Sequence, residues 1–515
     1  MTSRPVNKWL ITLSVMSGTV MAVLDSSIVN VALPSMSGTL GSSIEEITWV
    51  VTGYMLSNVL VMPIIGMLAA RFGRKNLYLT SVVLFTVASM LCGVARTLPL
   101  LVVFRILQGI GGGVLMTASQ AILRETFEEH EQGLAMGIYG MGVVLAPAFG
   151  PTLGGWLTDT YSWPWIFYVN LPVGMISAFM VQRFIHDPPY LERSRGKIDY
   201  SGIALLMVGL GALQLALEQG ERRDWLASSF IVTLFAIAAV SMTTFIWHEL
   251  RTENPAVNLR VLRNVPFASA TAIGGVLGMG LFGSLFLLPL FLQNLLGYPA
   301  MASGIALMPR SLAMAVVMPI GGLIYRRVGA RALATTGLIV SAYSFWSLSH
   351  LTSDLGFWDI LLPQVWQGVG FSLIFLALST AAFSTIPRPQ ITGASGLYNV
   401  VRQVFGSIGI AVAANQLTIG VHRYHSILAE RVSVYDPATR SMLAAAAAAM
   451  RRSGVDAFTA TMRALKILDL RVLRQATVLA YNHVFWLVAV LFALALPLVV
   501  LVRGRGAPSG EVMAE

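Results

Sequence analysis

Apolar stretches of about 20 residues recur along this chain, and short polar segments separate them. A helix rises about 1.5 Å per residue, so each stretch is long enough to cross a hydrocarbon core of roughly 30 Å. The pattern predicts an all-α protein with about fourteen membrane-spanning helices. We place them near residues 10–33, 47–70, 76–95, 100–122, 133–157, 165–186, 200–217, 229–250, 267–293, 302–325, 332–351, 359–384, 392–417 and 480–502.

Composition agrees with a polytopic membrane protein. Of the 515 residues, 56% are hydrophobic and 11% are charged, and the mean hydropathy is +0.73. An average soluble protein has about 25% charged residues. Cys92 is the only cysteine, which leaves neither an internal disulfide nor a thiolate metal site, and the histidines lack metal-ligand spacing. No GxxxxGK(S/T) sequence, the motif of ATP-binding loops, is present. We therefore expect that a proton gradient and not ATP supplies the energy, and that the protein has no cofactor.

Two parts of the chain repeat each other. Residues 61–66 read VMPIIG and residues 317–322 read VMPIGG, and a basic hairpin with a glycine follows each. Residues 108–111 read QGIG and residues 367–370 read QGVG, in the same order. The copies predict two homologous halves related by a parallel repeat, as in many transporters.

The predicted organisation has three parts. Residues 1–186 form an N-terminal six-helix bundle, 187–266 an inserted helix pair with its loops, and 267–515 a C-terminal six-helix bundle. The segment 418–478 in the last part is a helical loop outside the cytoplasm. It is either a helical hairpin that caps the protein or a surface that docks a partner.

Basic residues collect in alternate short loops, which sets an orientation. With the N-terminus in the cytoplasm, the opposite short loops hold only Arg96, Arg222 and Arg223. Both termini are then cytoplasmic, and the asymmetry accounts for the net charge of +10. No basic cluster carries interleaved aromatic residues, so we expect no nucleic-acid partner. The cytoplasmic set is Arg71, Arg74, Lys75, Arg124, Arg193, Arg195, Lys197, Arg251, Arg260, Arg263, Arg326, Arg327, Arg331, Arg388, Arg503 and Arg505.

Asp25 is the carboxylate that the pattern places well inside a span. An acid at membrane depth is costly unless it has a partner or a role. Burial favours the protonated form and a nearby cation the ionised form, so a carboxylate exposed in turn to two aqueous faces can carry a proton. Arg105 lies inside the fourth span and stays charged, whereas the second copy has Gln364 there. We predict proton coupling through Asp25 and Arg105, with a purely structural ion pair as the alternative.

Several ordered strings carry a family resemblance. They are LDSSIVNVALP at 24–34, GMLAARFGRK at 66–75, RILQG at 105–109, GPTLGG at 150–155 and WPWIFYVNLPVG at 163–174. Together they resemble the fourteen-helix drug/proton antiporters of the major facilitator superfamily, of the EmrB and QacA type. The resemblance implies the major facilitator fold, with substrate bound near the bilayer midplane between two bundles.

The resemblance also implies roles for two glycine-containing motifs. The hairpin motif acts as a cytoplasmic latch, although Ala70 stands where the family usually has an aspartate, which removes an obvious partner for a cation. The antiporter motif lets a neighbouring helix approach closely, and its proline bends the helix; ordinary small-residue packing is the alternative. Their members here are Gly66, Arg71, Gly73, Arg74 and Lys75 for the hairpin, and Gly150, Pro151, Gly154 and Gly155 for the antiporter motif.

Other polar residues within spans are candidates for a cavity. Arg310 and Arg402 lie at membrane depth, where a charge marks a water-filled cavity or a counter-ion, unless it reaches the interface. If both face a cavity, their field favours neutral or anionic amphiphiles. The candidate lining residues are Asn30, Asn58, Gln108, Arg310, Gln364, Asn399 and Arg402.

We expect proton-driven efflux of hydrophobic or amphipathic compounds across the bacterial inner membrane. The alternative is a stand-alone or solute-specific transporter, for example of a fatty acid, a siderophore or an amino acid. A third class is a sensor or lipid scramblase. EmrB-type pumps work with a periplasmic membrane-fusion adaptor and an outer-membrane channel, whereas QacA-type pumps act alone, and the segment 418–478 is large enough to dock an adaptor.

Overall fold

A computed structural model describes residues 7–128, 130–187, 198–352, 356–430, 432–433 and 435–502. Helices dominate these residues, and none of them lies in a strand. The basic residues predicted at 193–197, 503 and 505 lie outside this part. The helices are α1 (Lys8–Leu40), α2 (Glu45–Phe72), α3 (Arg74–Val94), α4 (Leu98–Thr126), α5 (Gln132–Thr160), α6 (Trp165–Phe184), α7 (Tyr200–Gln219), α8 (Ser229–Arg251), α9 (Val265–Leu295), α10 (Met301–Leu348), α11 (Trp358–Ala381), α12 (Arg388–Glu430), α13 (Pro437–Arg452) and α14 (Ala457–Leu501).

All of these helices except α13 are long and apolar enough to cross a membrane. The all-α polytopic fold is therefore confirmed. The helix α10 contains two predicted spans, 302–325 and 332–351, and breaks between them at Gly329. Counting α10 twice restores the fourteen predicted spans.

The break at Gly329 repeats a feature of the first half. Gly329 has φ 81° and ψ 162°, and Gly73, between α2 and α3, has φ 84° and ψ 153°. Residues other than glycine rarely adopt this backbone conformation. The two copies of the hairpin sequence therefore fold into the same backbone shape, so the repeat in the sequence is a repeat in the structure.

The helices around residues 418–478 extend further than the predicted spans. The helix α12 continues without a break to Glu430, and α14 begins at Ala457. Both helices therefore continue beyond the spans predicted at 392–417 and 480–502, because hydropathy marks the apolar part of a helix and not the end of its backbone hydrogen bonds.

The helix α13 and the start of α14 form a hairpin. Asp436 caps α13 with Pro437 in the first turn, and Gly454, at φ 88°, follows its end. Hydrogen bonds from backbone N–H groups hold the pKa of the Asp436 carboxyl below its usual value. Small buried side chains join the two helices, namely Ala447, Ala460 and Ala464.

The inserted helices α7 and α8 pack against each other at the side of the molecule. The Gln214 Nε2 atom in α7 donates to the Ser407 hydroxyl of α12 at 2.7 Å. Beyond α7, Arg222 donates to the Thr48 hydroxyl of α2 at 3.3 Å. The helix pair and its connecting loop therefore contact both halves. Most of the surface of α8 is exposed. The division of the chain at residues 187 and 266 stays a prediction.

The two halves meet at the end that carries the arginine-rich hairpins, here called the basic end. Arg124 of α4 donates to the Thr380 carbonyl of α11 at 2.8 Å. Asn399 of α12 donates to the Gln120 side chain of α4 at 2.9 Å. These bonds cross between halves whose sequences are far apart, so they hold the basic end closed in this conformation.

Glycines bring the helix backbones together at the same end. A Cβ atom at Gly66 would lie 2.5 Å from the Gly393 Cα atom, which no structure tolerates without a shift. A Cβ atom at Gly133 would lie 2.8 Å from the carbonyl oxygen of Gly322. We call these four residues the glycine seam. Between Gly66 and Gly393 the fit is tight on one side only, because a Cβ atom at Gly393 would lie 3.6 Å from the Gly66 Cα atom, an ordinary contact.

We predict that Gly66→Ala opens the basic end and that the matched variant Gly393→Ala leaves it closed. Spin labels at Phe72→Cys and Val328→Cys in a Cys92→Ser background report the separation of the hairpins. Gly66→Ala should move the distance distribution to longer values. Equal distributions for the two alanine variants would contradict this account of the seam.

Candidate functional site

Asp25 lies in α1 with no exposed surface. Its Oδ2 atom accepts a hydrogen bond from Arg105 Nη1 at 2.5 Å. Its Oδ1 atom accepts from Gln108 Nε2 and from Asn170 Nδ2, both at 2.8 Å. An ionised carboxylate only accepts hydrogen bonds, so this set of three donors suits the charged form.

Arg105 is held on several sides as well. Its Nε atom donates to the Val50 carbonyl at 3.1 Å, and its Nη1 atom donates to Gln108 Oε1 at 2.7 Å. The guanidinium carbon lies 4.1 Å from the centroid of the Tyr54 ring, a cation–π contact. The Tyr54 hydroxyl donates to the Ala22 carbonyl at 3.0 Å. The guanidinium therefore has little freedom to move while α1, α2 and α4 stay packed.

Helix geometry explains how these side chains converge. Arg105 and Gln108 are three residues apart on α4, so they lie on one face of that helix. Asn170 comes from α6, and its Nδ2 atom also donates to the Ser89 hydroxyl of α3 at 3.1 Å. The site thus joins five helices of the first half around one carboxylate.

Sequence reasoning missed Asn170 as a partner of Asp25. The residue lies within the string at 163–174 that carries the resemblance, but a lone amide near the start of a span is equally typical of the membrane interface. Nothing in the periodicity relates the rotation of α6 to that of α1.

The remaining candidates in the first half lie apart from the carboxylate. Asn58 is buried and forms a hydrogen bond with the Tyr54 hydroxyl. Asn30 is exposed on α1. Among the described residues, no group of three His, Cys, Asp or Glu side chains is arranged to hold a metal. Of the predicted candidates in this half, the structure brings together Asp25, Arg105 and Gln108.

The candidate residues of the second half differ in their burial and in their contacts. Arg310 and Gln364 are buried, at 3% and 0% exposed. Arg402 is half-buried, and its guanidinium carbon lies 5.5 Å from the centroid of the Phe375 ring. Asn399 is part of the contacts that close the basic end. These residues therefore do not form one cluster.

The hairpin motif has carboxylate partners despite Ala70. Arg74 forms an ion pair with Glu125 of α4. The backbone N–H of Lys75 donates to Asp187 Oδ1 at 2.8 Å. Two acids distant in sequence thus face the hairpin, although neither stands at position 70, where the resemblance leads one to expect an aspartate.

The other members of the hairpin have different roles. Gly66 is part of the glycine seam, Gly73 turns the chain, and Arg71 is exposed at the surface. Arg74 also donates to the Arg388 carbonyl of the second half at 3.3 Å. One member of the motif therefore contacts both halves at the basic end.

The antiporter motif packs against α1 close to Asp25. A Cβ atom at Gly154 would lie 2.8 Å from the Ile28 carbonyl oxygen, and one at Gly150 would collide with the Ser27 hydroxyl. At Gly155 the nearest atom would be Val31 at 3.8 Å, an ordinary contact. Pro151 is exposed within α5. Gly150 and Gly154 thus set the approach of α5 to α1.

Comparison with known proteins identifies the family. Residues 15–410 match the family model described as Major Facilitator Superfamily. The chain belongs to this superfamily. A major facilitator protein is a transporter and not an enzyme, and its many spans make this chain a multi-pass membrane protein.

The relatives of this facilitator include export proteins. Fatty acid resistance protein FarB from Neisseria gonorrhoeae is 34% identical over 496 residues, which cover 96% of this chain and 96% of FarB. Multidrug export protein EmrB from Haemophilus influenzae is 34% identical over 94% of this chain and 93% of EmrB. EmrB from Escherichia coli K12 is 32% identical over 95% and 94%. The predicted resemblance to EmrB-type proteins is confirmed.

Solved structures share the facilitator fold at low sequence identity. The human organic anion transporter MFSD10 has a TM-score of 0.59 and 13% identity, over 94% of this chain and 99% of MFSD10. A double-tryptophan mutant of XylE has a TM-score of 0.62 and 13% identity, over 97% of both chains. At this identity the likeness shows the fold alone.

We predict strong energetic coupling between Asp25 and Arg105. Arg105→Gln leaves a buried carboxylate without its cation and should lower the free energy of unfolding by about 3–5 kcal/mol. Adding Asp25→Asn should recover much of that loss, because the uncompensated charge is then gone. Denaturant unfolding of the two single variants and the double variant in detergent measures the coupling. Additive losses would show that the two groups do not interact.

Proposed function

We propose that this protein exports hydrophobic or amphipathic compounds across the bacterial cytoplasmic membrane in exchange for protons, with Asp25 as the proton carrier. The observation that carries the proposal is a fully buried carboxylate inside a spanning helix, bound by an arginine and two amides. An acid at such depth is costly, so a transport role gives a reason for its presence.

The contacts of Asp25 suggest how a proton is exchanged. In this conformation Arg105 balances the negative charge, and no water-exposed surface remains on the carboxylate. A movement that separates α1 from α4 takes the guanidinium away, and an unbalanced carboxylate then binds a proton at lower cost than it stays ionised. When the guanidinium returns, the proton is released. Movement of α1 against α5 at Gly150 and Gly154 would couple this exchange to the opening of the halves.

The orientation follows from the basic residues. Under the positive-inside rule the basic end faces the cytoplasm, as do both termini. The glycine seam then closes the cytoplasmic side in this conformation. Substrate release would take place toward the opposite side, in agreement with export.

The relatives support two substrate classes. EmrB is named as a multidrug export protein and FarB as a fatty acid resistance protein, and both align with nearly the whole chain. We therefore propose efflux of hydrophobic compounds and drugs as the principal function. Export of fatty acids is the second candidate, favoured by the similarity to FarB.

Asp25→Asn should abolish transport driven by an imposed pH gradient and leave substrate binding largely intact. The amide keeps the size of the side chain but carries no exchangeable carboxyl proton. Inverted membrane vesicles that accumulate a hydrophobic dye provide the measurement. Asp159→Asn, at an exposed carboxylate near the end of α5, is the matched control. Unchanged pH-driven uptake by Asp25→Asn would contradict the assignment of Asp25 as the proton carrier.

We also propose an adaptor partner at the hairpin of α13 and α14. Phe458, Met462 and Leu465 form a stripe on α14 and are 76%, 52% and 43% exposed. Ala460 and Ala464, on the opposite face, pack on α13. The described part of the chain therefore leaves the stripe exposed, and apolar surface of this kind is typical of contact sites. A periplasmic membrane-fusion adaptor, leading to an outer-membrane channel, is the occupant we propose.

Replacement of Phe458, Met462 and Leu465 by serine should impair export across a double membrane and spare transport in proteoliposomes, where no adaptor is needed. Tyr435→Ser, at a side chain 89% exposed outside the stripe, is the control. Equal loss in cells and in proteoliposomes would show that the stripe supports the transporter itself, and the adaptor proposal would fail.

A further inference from the structure

Arg310 is a buried cation in the second half. It lies in α10, is 3% exposed, and donates from Nη1 to the Ser284 hydroxyl of α9 at 2.9 Å. The same nitrogen donates to Gln367 Oε1 of α11 at 3.2 Å. Both acceptors are neutral, so they satisfy hydrogen bonds of the guanidinium without balancing its charge.

The sequence around Arg310 offers almost no acid. Between residues 265 and 429 the acidic residues are Asp354 and Asp359. Asp359 is exposed and accepts the backbone N–H of Gly356 at 2.9 Å in the first turn of α11. Arg310 forms no ion pair with any described carboxylate. A buried charge without an opposite charge is costly, which makes an anionic ligand the natural counter-ion.

The sequence repeat shows that the buried arginine occupies a different position in each half. Tyr54 lies seven residues before Val61, and Arg310 lies seven residues before Val317, so their positions are equivalent. Gln364 and Gln367 correspond likewise to Arg105 and Gln108, because each pair is three residues apart and a glycine follows the second member. The guanidinium of the second half thus comes from a different helix of its bundle.

The counterpart of Asp25 is missing from this arrangement. In the first half, the first helix supplies a carboxylate to an arginine and a glutamine. In the second half, the first helix supplies the Ser284 hydroxyl to Arg310, beside Gln367. The donors of an acid-binding site are present, but the chain contributes no acid to them.

Unpartnered amides support the same conclusion independently. Gln364 has no exposed surface, and neither its nitrogen nor its oxygen has a hydrogen-bond partner among the described residues. Gln367 Nε2, equally buried, also has none. Buried polar atoms are nearly always paired, because each unpaired one costs free energy. Their amide N–H groups are available to a ligand with acceptor oxygens.

We propose that Arg310, Gln367, Gln364 and Ser284 bind the carboxylate head of an amphiphilic substrate. The inference rests on the proposed export function and names one substrate class for it. Arginine and amide N–H groups suit a carboxylate because it presents two acceptor oxygens and one negative charge. The site is buried in this conformation, so the substrate reaches it when the halves rearrange. Arg402 is not part of the site, since it is half-buried against the Phe375 ring.

Equilibrium dialysis of the full-length protein in lipid nanodiscs, without any gradient, tests the site. The probes are laurate and dodecanol, which share a chain length and differ in the charged head. Arg310→Gln should weaken laurate binding at least about tenfold, the loss expected for a charge-assisted contact, and leave dodecanol binding unchanged. Arg327→Gln, the same substitution at an exposed position of α10, is the control.

Ser284→Asp provides a second, opposite variant. It gives the second half the acid that the first half has, so the new carboxylate should pair with Arg310 and exclude laurate. Laurate affinity should fall at least about tenfold, with no fall in the melting temperature and no change in dodecanol binding. This variant keeps the test informative if Arg310→Gln does not fold.

Several results would overturn the site. They are unchanged laurate binding by Arg310→Gln, equal loss of laurate and dodecanol, selective loss of laurate through Arg402→Gln instead, or wild-type laurate affinity in Ser284→Asp. Failure of the export function is recognised separately, because dye uptake driven by a pH gradient would then be missing from the unmodified protein whatever its laurate binding.

Discussion

The pairing of Asp25 with Arg105 is the interaction around which the first half is arranged. Inside a bilayer either charge alone is costly, and the pair lowers that cost when further hydrogen-bond partners satisfy the remaining donors and acceptors. Gln108, Asn170 and the Val50 carbonyl supply them. The cluster ties five helices together, and a movement that separates its charges leaves both of them uncompensated.

Close backbone contact is the second constraint. Without water to drive apolar association, helices in a membrane gain stability from tight packing, and glycine permits the closest approach. Gly150 and Gly154 bring α5 onto α1 beside Asp25, while Gly66 and Gly133 bring the halves together at the basic end. The same kind of contact therefore supports the charged site and closes one side of the protein.

The halves share a backbone plan but differ in charge. Gly73 and Gly329 repeat one conformation, and the QG motifs repeat one order along the chain. Among the described residues, the first half contributes a buried acid to its arginine, whereas Arg310 of the second half donates to a hydroxyl and an amide oxygen. We propose that this exchange of charged positions leaves proton transfer to the first half and recognition of an anionic substrate to the second half.

The sequence by itself determined the all-α membrane fold, the repeat with its hairpins, and the association of Asp25 with Arg105, because hydropathy, glycine positions and buried charge are local properties. Tertiary structure alone decided that Asn170 completes the site, that Glu125 and Asp187 serve the hairpin, and that Arg310 meets Ser284. It also decided how far α12 and α14 extend beyond the apolar spans. Periodicity defines the face of one helix, whereas contacts between distant helices depend on their relative rotation and depth, which no local pattern encodes.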